Sequence, residues 1–360
     1  MTSRLVFLAG KQAYQKIKSG GLSPGDVKTI AGAAGGTKWL VLNRLDRILF
    51  GTWLKDRTKP LYLIGSSIGA WRFAAMCQSD PMDAQQRFED AYIYQQYSSK
   101  PSPSEITRES LKIMHAFVNE KSKEEILHHP VYQLGFLSVR CKWPSSSDKT
   151  PLLSLGLLLA ALGNLAARPL LRLQFERVLF HRPDATPPYD LTYPFPTQTI
   201  ALNQQNFDKA LLASGSIPLV MEGMRKIPDV PAGTYRDGGL VDYHLDIPFQ
   251  VDSHEIVLYP HFTERVVPGW LDKALKWRKP HAEYLKNVLL VAPSRDYIEK
   301  LPNGKIPDRN DFYLYKGRDK DRFRDWTAVV TNGEDLAAEF LDTVESGRIK
   351  QMVKPFENLR

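Results

Sequence analysis

LYLIGSSIGAW, residues 61–71, sets four apolar residues before Gly65-Ser66-Ser67-Ile68-Gly69 and an apolar, helix-compatible run after it. A strand that turns at once into a helix is the unit of a parallel sheet covered on both faces. The surrounding pattern repeats that unit. Val27 to Ala31 reads as a strand, Lys38 to Arg47 as the start of a helix, Leu61 to Ile64 as a second strand and Ile68 to Gln78 as a helix. The fold class expected is α/β, a mainly parallel sheet in a three-layer α/β/α sandwich.

A nucleophile elbow needs this same strand, sharp turn and immediate helix, with small residues two before and two after the serine. Gly65 and Gly69 bracket Ser67, which selects Ser67 over Ser66. The N–H of Ile68 would then face a developing oxyanion, with the positive end of the helix dipole behind it. In a chain with 23 glycines the spacing alone is weak; about one chain of this composition in ten would show it by chance. A glycine-rich strand-to-helix turn without chemistry is the competing reading at this stage.

Two further stretches bear on it. TIAGAAGGTKW, residues 30–40, runs from a strand into Gly35-Gly36, whose unhindered N–H groups can converge on an anion, with Lys38 keeping the corner positive. It is not a phosphate loop, because that motif needs Lys directly after Gly and a hydroxyl after Lys, and Gly36-Thr37-Lys38-Trp39 has neither. YRDGGLVDYHLDIPF, residues 235–249, offers Asp237 followed by Gly238 and Gly239, small residues that let the loop approach another backbone.

Taken together, G-G-x-K near the N-terminus, G-x-S-x-G after the next strand, the ALLASGSIPLV segment at 210–220 and D-G-G downstream resemble the patatin-like phospholipase family, in that family's order. The resemblance implies that Ser67 is the nucleophile and Asp237 its partner in a Ser-Asp dyad, with Gly35 and Gly36 in the oxyanion loop. It implies hydrolysis of phospholipid or other acyl-ester lipids through an acyl-enzyme, without metal or organic cofactor. This chain departs from the family in having Ala33-Ala34 where Asp-Gly is usual, and Trp39 where Gly follows the basic residue. Trp39 either narrows the acyl site or packs beneath the loop. His244, seven residues after Asp237, raises the alternative of a Ser-Asp-His triad; the D-G-G context favours the dyad. Rival readings on the same residues are an acyltransferase and a catalytically silent lipid- or protein-binding member.

The rest of the chain sets the context. A net charge of +8 suits an anionic surface. The basic residues are dispersed and no recognised nucleic-acid module accompanies them, so a nucleic-acid partner is not expected. Two distant cysteines, Cys77 and Cys141, make neither a disulfide framework nor a thiolate zinc site. MTSRLVFLAGKQ has too short an apolar run for a cleaved signal; a cytoplasmic protein with peripheral membrane contact is expected. The oligomeric state is left open.

The chain reads as one catalytic domain over 1–360, with an inserted helical cap at 80–200. Within the cap, LLSLGLLLAALGNLAA at 152–167 is apolar all round but shorter than the ~20 residues of a spanning helix. A buried core helix is the expectation and a lid or membrane-dipping element the alternative. VPGWLDKALKWRK at 267–279 reads as a helix with Trp on one face and Lys elsewhere, lying on an anionic interface or packed on the sheet. A helix at Phe207 to Ser214, strands at Glu255 to Tyr259 and Asn287 to Ala292, and a final helix at Glu334 to Glu345 opened by Asn332-Gly333 complete the reading.

Overall fold

The protein is described from a computed structural model over residues 3–192 and 194–357. Among the described residues ten strands form one sheet: β1 Leu5–Ala9, β2 Val27–Gly32, β3 Leu61–Ser66, β4 Tyr132–Cys141, β5 Phe175–His181, β6 Thr197–Ala201, β7 Thr234–Asp237, β8 Ile256–Pro260, β9 Val288–Pro293 and β10 Lys354–Pro355. They lie in the order β10-β1-β9-β8-β2-β3-β4-β5-β6, with β7 paired to β4. The sheet is mostly parallel; the antiparallel pairs are β1 with β9, β4 with β5 and β4 with β7. Every residue of β8 and β9 is buried. That requires cover on both faces, and the flanking helices supply it in a three-layer α/β/α arrangement.

The helices that matter below are α1 Lys11–Gly20, α2 Asn43–Ile48, α3 Ile68–Met76, α4 Pro81–Ile93, α5 Pro103–Phe117, α6 Glu120–Leu127, α7 Thr150–Ala166 and α8 Phe207–Ser214. α3 packs on β2, β3 and β4 and against α4 and α8, which is why all nine of its residues are buried. The segment expected as a helix from Lys38 is a 3-10 stretch, Gly36–Leu42, that becomes α-helical only at Asn43.

One register places the chemistry. In β4, Leu137 is opposite Ser66 of β3, and the next residue, Ser138, is opposite Asp237 of β7. Since β5 occupies the other edge of β4, β3 and β7 share one edge and meet end to end. Ser67 and Asp237, 170 residues apart, are thereby brought together.

Four expectations need correction. Residues 80–200 are not wholly a cap: α4 to α7 lie there, but so do the sheet strands β4, β5 and β6. The run at 152–167 is helical as α7, yet it is not a core helix. Leu153, Gly156, Ala160 and Asn164 face inward, and Leu155, Leu158, Leu159, Leu162 and Leu165 are exposed. VPGWLDKALKWRK is not one helix; only Trp270–Asp272 is helical, as a single 3-10 turn. The Asp272 side chain accepts the Gly269 N–H and the Asn164 amide, which ties the segment down as a fixed loop. Finally, the last long helix runs Asp319–Glu345, so Asn332-Gly333 is mid-helix rather than a start. Gly333 sits against Arg44, where a Cβ would lie 3.3 Å from that side chain, so the glycine serves close helix approach.

Candidate active site

β3 ends at Ser66 and α3 begins at Ile68, leaving Ser67 alone to turn the chain at φ 54°, ψ −124°. A non-glycine residue in that region stores on the order of 1–3 kcal/mol of strain, held by its surroundings. The surroundings are two glycines. A Cβ at Gly65 would lie 2.4 Å from the Ala70 nitrogen, and one at Gly69 would lie 2.1 Å from the Gly32 oxygen. The turn is further fixed by Ser214 of α8, whose hydroxyl accepts the Ser67 N–H at 3.1 Å and donates to the Leu137 carbonyl at 2.6 Å.

Ser67 Oγ donates to Asp237 Oδ2 at 2.6 Å, and the other carboxylate oxygen accepts the Gly239 N–H at 2.7 Å. Ser66 points elsewhere, its hydroxyl buried without a partner among the described residues. Burial pushes the Asp237 carboxyl up to about 6, against the opposing pull of its bonds to Ser67 and Gly239 and of Arg309 and Lys273. A carboxylate held near neutrality is a better proton acceptor than one at the usual range. A Cβ at Gly238 would meet the Leu137 oxygen at 2.3 Å, so the loop after Asp237 can lie this close to β4 only with glycine there.

Both side chains open into a cavity of about 50 Å³ lined also by Ala34, Gly35, Gly36, Tyr243, Trp270, Lys273 and Arg309. Among the described residues the N–H groups of Gly35, Gly36 and Ile68 have no protein acceptor, and Gly36 takes φ +55°. Gly35 and Gly36 face the cavity; Ile68 does not line it, although its N–H sits in the first turn of α3 directly after Ser67. Trp39 packs beneath the loop, stacked on Phe88 with ring centroids 4.4 Å apart, and so leaves the cavity unnarrowed.

His244 is not brought to the dyad. It is buried among Tyr243, His261 and Phe262, its Nδ1 takes the Val267 N–H, and burial and His261 hold its pKa well below the ordinary value. Asp252, His254 and Glu255 come within ligating range of one another beside the N-terminal end of β8, but Glu255 is already bound to Lys28 and to the Asp252 N–H.

Sequence reasoning placed Lys38 at the glycine corner and missed two further cations, Lys273 and Arg309. Lys273 stands 3.9 Å over the Tyr243 ring, and desolvation, Lys38 and Arg309 together pull its pKa down to about 7. Lys38 lies 4.8 Å over the Phe262 ring, its pKa lowered chiefly by burial. Neither Lys273 nor Arg309 has a carboxylate partner within ion-pair distance among the described residues. Nothing in IPDRNDF signals that Arg309 reaches the site. Ser214, by contrast, lies in the quoted segment at 210–220.

No protein-family model and no curated protein matches the chain. Among solved structures, VipD from Legionella pneumophila superposes with a TM-score of 0.38 and 11% identity, over 89% of this chain and 67% of that one. A likeness of that size assigns neither family nor activity.

Proposed function

We propose that the protein is a lipid acyl hydrolase of patatin-like type, acting through an acyl-enzyme on Ser67 with Asp237 as base. The observation that carries the reading is the 2.6 Å bond from Ser67 Oγ to a buried Asp237 at the tip of a strained strand-to-helix turn that opens on a cavity.

The steps follow from those positions. Ser67 Oγ attacks the ester carbonyl carbon while its proton passes to Asp237 Oδ2. The carbonyl oxygen gains the electron pair and is held by the N–H groups of Gly35, Gly36 and Ile68. Collapse of this adduct breaks the ester C–O bond, and the departing alkoxide takes the proton from Asp237. Water repeats the sequence on the acyl-enzyme and releases the fatty acid. No histidine lies between acid and serine in this scheme. Arg309, a charge without a carboxylate partner within ion-pair distance among the described residues, and Lys273, about half-protonated at pH 7, favour an ester that carries an anionic group, a phospholipid over a neutral glyceride.

The test is covalent labelling by a serine-reactive fluorophosphonate. The wild-type protein should be labelled and Ser67→Ala should not. Absent or Ser67-independent labelling sinks the reading and leaves a silent binding protein of the same fold. Product analysis with and without an added alcohol separates a hydrolase from an acyltransferase.

A further inference from the structure

α7 is amphipathic in the wrong sense for a helix that faces water. Its inward positions are small or polar, Gly156, Ala160 and Asn164 beside one Leu153, whereas Leu155, Leu158, Leu159, Leu162 and Leu165 form its outer face, each between 43% and 56% exposed. These five follow the i, i+3, i+4, i+7 spacing of a single stripe. No charged residue occurs from Thr150 to Ala167.

The stripe is extended and then edged by positive charge. Lys142 Nζ donates to the Arg172 carbonyl at 2.8 Å, which sets the loop before α7 beside the turn after it. Trp143 and Leu173, the neighbours of that contact, are 71% and 62% exposed. At the other end, the Arg278 guanidinium donates to the Asn164 carbonyl at 2.6 Å, which brings exposed Trp277, between Lys276 and Arg278, next to α7. Over residues 142–173 and 270–279 the acids are Asp148 and Asp272 alone. Each is held in ion pairs, Asp148 with Arg225 and Arg236, Asp272 with Arg168 and Arg278. The rim of Lys142, Lys149, Arg172, Lys276 and Lys279 is therefore uncompensated by those segments.

We infer that this face is the lipid-docking surface of the protein, α7 lying in the plane of an anionic bilayer with its leucines among the acyl chains and the rim cations at the phosphates. Charge selects a lipid surface over a second copy of the chain. Two copies meeting on this face would set their like-charged rims against each other, whereas anionic headgroups neutralise them at about 1 kcal/mol, or fivefold in binding, per cation. At 17 residues, α7 is about 25 Å long and suits an interfacial position; no helix among the described residues is long and apolar enough to cross a membrane.

Docking here also places the cavity. Ala160 and Leu157 of α7 belong to the same apolar cluster as Leu240 and Trp270, which line the cavity. The wall that α7 supports is therefore shared with the cavity, and docking on this face sets the cavity beside the bilayer. The inference deepens the hydrolase reading but is tested apart from it, on Ser67→Ala protein that cannot consume the vesicles.

The experiment is co-sedimentation with vesicles of phosphatidylcholine alone or with about one-third phosphatidylglycerol. Binding should favour the anionic vesicles, fall at least tenfold in Leu158→Gln/Leu162→Gln, and fall about fivefold for each of Lys142→Gln and Arg172→Gln. Tryptophan emission should shift to the blue on binding, and less in a Trp277→Phe variant. The leucine variant in the Ser67-intact protein should keep wild-type turnover of a water-soluble ester, which shows that it is folded. Equal binding of the leucine variant, equal binding to both vesicles, or a wild-type dimer lost in the leucine variant would each overturn the inference. Vesicle binding without any ester turnover would sink the hydrolase reading and leave this one standing.

Discussion

α3 and α7 are both short, strongly apolar helices, and their fates are opposite. α3 carries an arginine and is buried at every position; α7 carries no charge and leaves five leucines in water. The difference lies in what surrounds them. α3 is enclosed by β2, β3, β4, α4 and α8, and Arg72 is satisfied inside by a two-pronged bond to Asp46 at 2.7 and 2.6 Å. α7 rests on the 168–173 turn and the Trp270–Asp272 turn at one side of the fold. Burial is therefore a property of neighbours, and apolarity without neighbours marks a surface with work to do.

The comparison breaks most sharply at glycine. Gly69→Ala in α3 drives a Cβ to 2.1 Å from the Gly32 carbonyl, backbone against backbone, and should cost about 3 kcal/mol or more, or prevent folding. Gly163→Ala in α7 meets Leu170 Cβ at 3.4 Å, an ordinary contact, and should gain up to about 1 kcal/mol from helix propensity. Denaturant midpoints measured on the two variants should move in opposite directions. A Gly69→Ala protein as stable as wild type would mean that the elbow is not tightly held.

The two helices should also answer differently to acid. Asp237, against the N-terminus of α3, has a carboxyl raised to about 6 by burial. In the proposed mechanism its ionised form is the base, so kcat/KM for a water-soluble ester should fall about tenfold per pH unit below 6 and level off above. The sign for stability is the reverse: a carboxyl raised in the fold contributes most below the unfolded value near 3.8, and that contribution is lost as pH rises through 6. α7 has no titratable side chain and its rim is Lys and Arg, so vesicle binding by Ser67→Ala protein should hold between pH 5 and 7. An acid limb that survives unchanged in Asp237→Asn would remove Asp237 as its source.

This contrast also marks what could be read from sequence. β2, β3, α3, α8, β8 and β9 were legible because strand alternation and the glycines at 65 and 69 are local signals. Asp237 is singled out through the resemblance that its D-G-G shares with the other motifs, and the structure sets it 2.6 Å from Ser67. The exposure of α7 was not legible, since periodicity reports a helix but not what lies beside it. The loop at 267–279 defeated the helical pattern because Asp272 finds its partners in Asn164, Arg168 and Arg278, all tertiary. Arg309 reaches the cavity from a loop without periodicity, where sequence carries no address, and Lys273 from the 267–279 segment, whose helical pattern is not the structure it takes.

The smallest effect is the most discriminating. Leu158→Gln and Leu162→Gln should each change unfolding free energy by no more than about 0.5 kcal/mol, because half of each side chain already lies in water and Gln matches Leu closely as a helix former. The same change at Leu153, on the inward face, should cost several times more, since it buries an amide among apolar neighbours. Thermal unfolding of the three variants at several protein concentrations decides the matter. A large loss at 158 and 162 that grows with protein concentration would mean that another copy covers the stripe in solution, and α7 would then be a concealed core helix after all, no different in kind from α3.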